Sequence, residues 1–459
     1  MTGPAKGGPG IGGPGGTGPV LVTAAEAVAA QARAAAGLAA LGLREGDRAA
    51  VVATPATAAY LAVAVGALRS GVVPVLVNAA LTDAERAVIL ADAEPAVVLG
   101  DADLARLAAF DGPGATSFDL APAPRARAMM YTSGTTGRPK GVWTGLLDDA
   151  DAAALVAEER ELWGFEADDR LLLVSPLHHS APLRFAIGTL LAGGSVILAG
   201  GVTGMAPAIA AHRPTVAFVA PAHLQRLFTG AAGGPVPALG SFRRMVHAGA
   251  PCPEPLKRQA LAAFPTGSVW EFYGSTEGQF TACSPADWLE RPGTVGRARP
   301  GRTLSVDPDG TIWCTVPRYA RFSYWRDPVK TAAAWRADAF SVGDLGRLDD
   351  DGYLYLDGRR DDLIITGGVN VYPLEIEQVL AAHPDVVEVA VFPVDDERWG
   401  QAVWAAVAGP VTDAALDAWM ADRLAPYKRP KRIVRVDALP HTPTGKLRRS
   451  RLATDLGVA

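Results

Sequence analysis

Between residues 20 and 100, short apolar runs alternate with longer stretches in which apolar positions recur at helical spacing. Residues 48–53 (RAAVVA) and 72–77 (VVPVLV) predict strands, 58–69 and 82–93 predict helices, and 96–99 predicts a further strand. Alternation of this kind argues for βαβ units around a mainly parallel sheet. The pattern resumes at 170–175, at 185–194 leading into 195–199, and at 215–219, so a second α/β layer is expected to run to about residue 267. Over 293–360 the texture changes to short strands punctuated by Asp309-Gly310 and Asp351-Gly352, the dipeptides of tight hairpins. A small α+β unit follows, with helices at 374–382 and 413–424 and strands at 386–394 and 402–408.

The Ala-rich stretch 23–43 is long enough to cross a membrane, but Glu26, Gln31 and Arg33 interrupt it, so it reads as an amphipathic helix of a soluble domain. Residues 3–19 are rich in Gly and Pro and read as a disordered tail without the apolar core of a signal peptide. The 459 residues are too many for one core, and 49% hydrophobic with 20% charged residues fits a globular chain of two or three domains. A net charge of −5 gives no basis for nucleic-acid binding. Cys252, Cys283 and Cys314 lie far apart, which suggests neither a disulfide framework nor a zinc site and fits a reducing cytoplasm.

The sharpest local signal is the segment 131–141, YTSGTTGRPKG. Gly134, Gly137 and Gly141 let backbone amides approach a phosphate, Thr132, Ser133, Thr135 and Thr136 add hydroxyls, and Lys140 adds a cation. The spacing is not that of a Walker loop. A second segment, 271–278 (EFYGSTEG), offers Tyr273 as an aromatic face, Gly274 and Ser275 in a turn, Thr276 as a hydroxyl and Glu277 as a carboxylate. Ala248, Gly249 and Ala250 precede it as a further turn. A third, 341–346 (SVGDLG), carries Asp344, with Arg359 downstream. A fourth, 443–449 (PTGKLRR), carries Lys446.

In this order the four segments resemble the adenylate-forming superfamily of acyl-CoA synthetases, nonribosomal adenylation domains and firefly luciferase, over essentially the whole chain after residue 20. The resemblance implies an α/β fold: a large N-terminal domain (20–360) of layered, mostly parallel sheets with a small barrel-like β section, and a small mobile α+β C-terminal domain (361–459). It implies ATP, Mg²⁺ and CoA as cofactors. Tyr273 would stack on adenine, Thr276 meet the α-phosphate, Glu277 hold the metal, Asp344 bind the ribose hydroxyls with Arg359 beside the nucleotide, and Lys446 reach into the site during adenylation. Asp361 matches the hinge, and Gly367-Gly368 would let the pantetheine arm approach.

The segment 175–182 (SPLHHSAP) is similar to the family's acyl-pocket segment, with His179 at the substrate carboxylate. Ser180, Ala181, Phe272, Gly274, Gly278 and Gln279 are expected as the remaining walls by position. Arg184 is read as facing solvent or a structural carboxylate, with a second acidic group of the substrate as the alternative. No Asp occurs between residues 170 and 213, which disfavours an amino-acid substrate. The expected activity is ATP-dependent activation of a fatty or aryl acid followed by transfer to CoA, in a monomer or homodimer. Loading of a carrier protein or an amine, activation of a small oxyanion such as nitrite, and non-catalytic nucleotide binding stay open.

Overall fold

The computed structural model describes residues 18–132, 139–440, 447 and 449–458, with Ser450 by its backbone alone. Nearly all of the predicted tail, the loop residues Ser133, Gly134, Thr135, Thr136 and Gly137, and Lys446 lie outside the described residues.

Two six-stranded sheets form the body of the fold. One runs Ser323–Tyr324, Lys140–Trp143, Met129–Thr132, Val73–Leu76, Arg48–Val51, Val97–Leu99, with the last four parallel. The other runs Val20–Val22, Ser195–Leu198, Arg170–Leu173, Val216–Val219, Arg244–His247, Val269–Glu271, with all but the first parallel. Every residue of Val73–Leu76 and of Val216–Val219 is buried, as expected of parallel strands covered on both faces. One continuous core joins the two sheets, from Val51 and Val75 to Leu173 and Phe218.

The helix Ala24–Ala40 begins at a capping box of Thr23 and Glu26. The polar residues that interrupt it are tied to neighbouring elements. Gln31 accepts from Arg69 Nη1 at 2.9 Å, and Arg33 Nε donates to the Ala108 carbonyl at 2.7 Å. Among the described residues no helix is long and apolar enough to cross a membrane. The predicted strands and helices lie within a few residues of their expected bounds, and the segment read as 185–194 belongs to a helix that begins earlier, at Ser180. Pro182 sits in its first turn, where the missing N–H would have had no intrahelical partner.

The hairpin-rich section is an antiparallel sheet of Thr303–Val306, Ile312–Thr315, Ala339–Phe340 and Trp335–Arg336, beside a hairpin of Asp344–Leu348 with Leu354–Arg359. Among the described residues these strands form open sheets, not a closed barrel. Phe280, Phe322, Tyr324 and Phe340 fill their core. The last unit is a sheet of Val369–Val371, Ile364–Thr366, Gly400–Ala408 and Glu388–Asp396, with Arg432–Arg435 parallel to Gly400–Ala408 and the helices Pro373–Ala381 and Asp413–Ala421 against it. Its principal core, including Ile364, Ile376, Val391 and Leu416, draws only on residues after 363.

Candidate active site

The glycine-rich loop spans two antiparallel strands, because Thr132 ends Met129–Thr132 and pairs with Lys140, the first residue of Lys140–Trp143. The sheet thus holds both ends of the loop together. Lys140 Nζ lies 5.0 Å from the centre of the Tyr324 ring. The Tyr324 hydroxyl donates to Glu277 Oε1 at 3.0 Å, and Tyr324 is held well above the ordinary phenol range by burial and the Glu277 charge. Tyr324 therefore links the base of the loop to the carboxylate of the second segment. The sequence carried no signal for it, since Tyr324 lies in a two-residue edge strand far along the chain.

The second segment leaves the parallel strand Val269–Glu271 and folds back on itself, with Gly274 bridged to Gln279. Glu277 is 7% exposed, and its Oε2 accepts no hydrogen bond among the described residues. The Ser275 hydroxyl is buried without a partner among the described residues. Tyr273 is buried with its ring 4.7 Å from Phe280, and its hydroxyl donates to Asp344 Oδ2 at 2.5 Å. Arg359, exposed on the adjoining strand, brings Nε to 3.0 Å from Asp344 Oδ1 as an ion pair. That oxygen accepts no well-aligned hydrogen bond. Burial raises the Asp344 carboxyl, while Arg359 and Tyr273 pull it back. Ala248, Gly249 and Ala250 follow the strand Arg244–His247, and Gly249 takes φ +91°, a conformation that favours glycine.

These positions fit a magnesium nucleotide. An open acceptor on Asp344 suits a ribose hydroxyl, and a single carboxylate at Glu277 suits a cation whose other ligands are phosphate oxygens and water. No group of three or more metal-binding side chains exists among the described residues, so such a cation would depend on those outside ligands.

A cavity of about 130 Å³ adjoins the second segment. Ser180, Gly278 and Gln279, three of the expected wall residues, line it together with Thr276. Four other expected wall residues do not. Phe272 belongs to the aromatic core against Trp163 and Phe218, 5.8 and 5.7 Å away. Gly274 faces Gln279 across their bridge. Ala181 packs against the main core. His179 stands at the N-cap of the helix Ser180–Leu191, with its ring 4.5 Å from His178. Arg184 does meet a structural carboxylate, with Nε 3.5 Å from Glu159 Oε2, and it also lines the cavity. Arg127, Glu159 and Arg302 are cavity residues that the sequence did not flag.

In the last unit, Asp361 is exposed in a short 3₁₀ turn at Arg360–Asp362. Gly367 and Gly368, at φ +57° and +79°, form the two-residue turn of the hairpin between Ile364–Thr366 and Val369–Val371.

The chain matches the family model "AMP-binding enzyme" over residues 18–313 and "AMP-binding enzyme C-terminal domain" over 375–446. It is 36% identical over 357 residues to the 2-succinylbenzoate–CoA ligase of Geobacillus kaustophilus, covering 71% of this chain and 68% of that one. It is also 36% identical over 342 residues to the indoleacetate–CoA ligase of Aromatoleum aromaticum, covering 70% and 65%. Among solved structures, o-succinylbenzoate coenzyme A synthetase (MenE) of Bacillus subtilis with ATP and magnesium superposes with a TM-score of 0.79 at 28% identity, over 93% of this chain and 94% of that one. The motifs, the layered α/β fold and these matches agree, and the chain belongs to the AMP-binding enzyme family.

Proposed function

We propose that this chain is an AMP-forming acid–CoA ligase, which activates a carboxylic acid as an acyl-adenylate with release of pyrophosphate and then passes the acyl group to the thiol of CoA. The observation that carries the reading is the linked set Lys140, Tyr324 and Glu277 beside the Tyr273–Asp344 pair, next to a cavity lined by Thr276. The relatives named above are CoA ligases of arylalkyl and aryl acids, which supports an acid of that kind.

A carboxylate is a poor electrophile because its leaving group would be oxide. Attack of its oxygen on the α-phosphorus of ATP forms a mixed anhydride and expels pyrophosphate, and AMP then becomes a good leaving group when the thiolate attacks the acyl carbon. Two anions must meet in the first step, so the main task is electrostatic. Bound at Glu277, Mg²⁺ would supply Lewis-acid stabilisation of phosphate charge. Lys140 and Lys446 would add positive charge, and Thr276 a donor toward the α-phosphate. Asp344 would accept from the ribose while Tyr273 and Arg359 hold its carboxylate in place.

In this reading residues 361–459 form a separate domain that turns about Asp361 between the two half-reactions, and the Gly367-Gly368 turn gives the pantetheine arm a side-chain-free approach. The test is pyrophosphate release over a panel of acetate, fatty acids, benzoates, cinnamates, dicarboxylates and nitrite, with and without CoA. Release with an organic acid, and acyl-CoA only when CoA is added, is expected. Silence across the panel sinks the proposal, and turnover with nitrite alone transfers it to oxyanion activation.

A further inference from the structure

The cavity beside Thr276 has apolar walls at Leu155, Val156, Phe165, Leu183 and Ile187, and its other lining residues include Ser180, Thr276, Gln279, Glu159 and Arg160. Arg127, Arg184 and Arg302 all border it. Behind them stands Arg299, whose side chain is fully buried. Among the described residues, only two carboxylates, Glu158 and Glu159, pair with these arginines. Arg299 Nη2 bonds both at 2.8 Å, and Arg302 Nη1 donates to Glu158 Oε1 at 2.6 Å. Tyr319 takes Glu158 Oε2 at 2.9 Å, and Trp163 takes Glu159 Oε2 at 3.1 Å. The carboxylate oxygens are thus largely used up.

The arginines are not satisfied in return. Arg127, half-buried on the cavity wall, has no hydrogen-bond or ion-pair partner among the described residues. Among the described residues, Arg184 Nε and Nη2, Arg299 Nε and Nη1, and Arg302 Nε are buried without a hydrogen-bond acceptor, Arg184 Nε having only the 3.5 Å ion pair with Glu159. Burial lowers Arg127 and Arg184 to about 10, so both stay protonated at neutral pH. Burial alone would raise the Glu159 carboxyl, but Arg184, Arg299 and Arg302 hold it down to about 2, so it stays ionised. The cluster therefore carries four guanidinium charges against two carboxylates. Buried charges in folded proteins are paired, because an unpaired one loses its hydration without return. A cluster with two positive charges in excess, three of its arginines lining a cavity, suits an anion that enters the cavity.

Size narrows the choice. A cavity of about 130 Å³ is close to one of roughly 150 Å³ that holds a single benzene ring. Given the acid activation proposed above, we infer that the acid taken by this site is a compact diacid, of one ring or a short chain, whose unreacted carboxylate is held by Arg127 and Arg184 with Arg302 adjoining. The planar guanidinium fork suits a carboxylate, and the apolar walls take the ring or methylenes between the two acid groups.

The test is ATP–pyrophosphate exchange by the full chain with matched acids: benzoate against its ortho, meta and para carboxylates, and butyrate against succinate and glutarate. At least one diacid is expected to exceed its monoacid partner by about 100-fold or more in kcat/KM, since sites built to bond a substrate group reject analogues that lack it. Arg127→Gln, at a side chain with no hydrogen-bond or ion-pair partner among the described residues, is expected to shrink that ratio at least about tenfold, and Arg127→Lys to retain most of it. Exchange that favours the monoacids overturns the diacid inference and leaves acid activation standing. A loss in Arg127→Gln shared equally by both acids also overturns it, because the arginine would then act only through structure. No exchange with any acid overturns the ligase reading and the inference with it.

Discussion

The Tyr273 hydroxyl donates to Asp344 Oδ2 at 2.5 Å, joining two segments 71 residues apart in the chain. The bond leaves Asp344 with one oxygen taken by a phenol and the other beside Arg359 without a well-aligned donor. If Asp344 accepts from a ribose, Tyr273 positions the acceptor. Tyr273→Phe keeps the ring against Phe280 and removes only the donor, so KM for ATP is expected to rise about tenfold with a smaller change in kcat, the size of one hydrogen bond to a charged group. Asp344→Asn is expected to cost more, because it removes the charge that Arg359 faces. Steady-state kinetics with ATP varied checks both. An unchanged KM in Asp344→Asn would remove the ribose assignment.

The link from Lys140 through Tyr324 to Glu277 makes a second expectation. Glu277→Gln keeps the Tyr324 contact possible and removes the anionic oxygen. Pyrophosphate release is expected to fall about 100-fold or more, with the Mg²⁺ concentration for half-maximal rate shifted upward, since charge stabilisation of phosphate is usually the largest catalytic contribution. Tyr324→Phe, which deletes the bond but leaves the carboxylate, is expected to lose much less. A Mg²⁺ titration of the two variants separates them, and equal titration midpoints in Glu277→Gln and the parent chain would exclude Glu277 as the metal ligand.

The order of the four segments and the βαβ alternation were readable because each rests on local chemistry. Turn glycines, short apolar runs and hydroxyl-rich loops carry their meaning in neighbouring residues. The charged lining of the cavity beside Thr276 was not readable, because it depends on residues far apart in the chain. Glu159 and Arg299 meet across 140 positions. On the sequence alone, Glu158 and Glu159 in the helix Asp149–Trp163 look like a solvated face, and only the packing of that helix against residues 299–302 buries them. Phe272 was misplaced for a related reason. A strand-end aromatic can face a pocket or a core, and here Trp163, Phe185 and Phe218 form the aromatic core that holds it.

Three histidines give the fold an acid sensitivity. Burial holds His178 and His223 down to about 4, and burial with the Lys257 charge holds His247 well below its ordinary range. Their folded-state values lie below the unfolded value of about 6.5. The stability they contribute is therefore complete above that value and is lost as pH falls from about 6.5 toward 4, at up to about 1.4 kcal/mol per pH unit for each histidine. Burial raises Asp344 and Glu271, and these act in the opposite sense: the stability they contribute is present at low pH and lost as pH rises through their folded values. Urea denaturation at pH 7.5 and 5.5 is expected to show a lower midpoint at 5.5. His178→Gln and His223→Gln are each expected to shrink that difference, and a pH dependence identical to the parent chain would mean that neither ring stays neutral in the fold.

Lys446 lies outside the described residues, so its role rests on the segment 443–449 and on the electrostatics of the reaction. Adenylation brings a carboxylate to a polyphosphate and needs positive charge at the α-phosphate. Thioester formation starts from an acyl-adenylate that has already lost pyrophosphate, so it needs far less. Lys446→Ala is therefore expected to cut acid-dependent pyrophosphate release by about three orders of magnitude or more, on the scale of removing a charge that acts in the transition state. Conversion of synthetic acyl-adenylate and CoA to acyl-CoA is expected to stay within a few-fold of the parent chain. Lys446→Arg keeps the charge but spreads it over a planar fork, and is expected to recover only part of the first rate. Measuring the half-reactions separately decides the point: losses of equal size in both would show that the lysine supports the fold or a shared binding site rather than the chemistry of the first step.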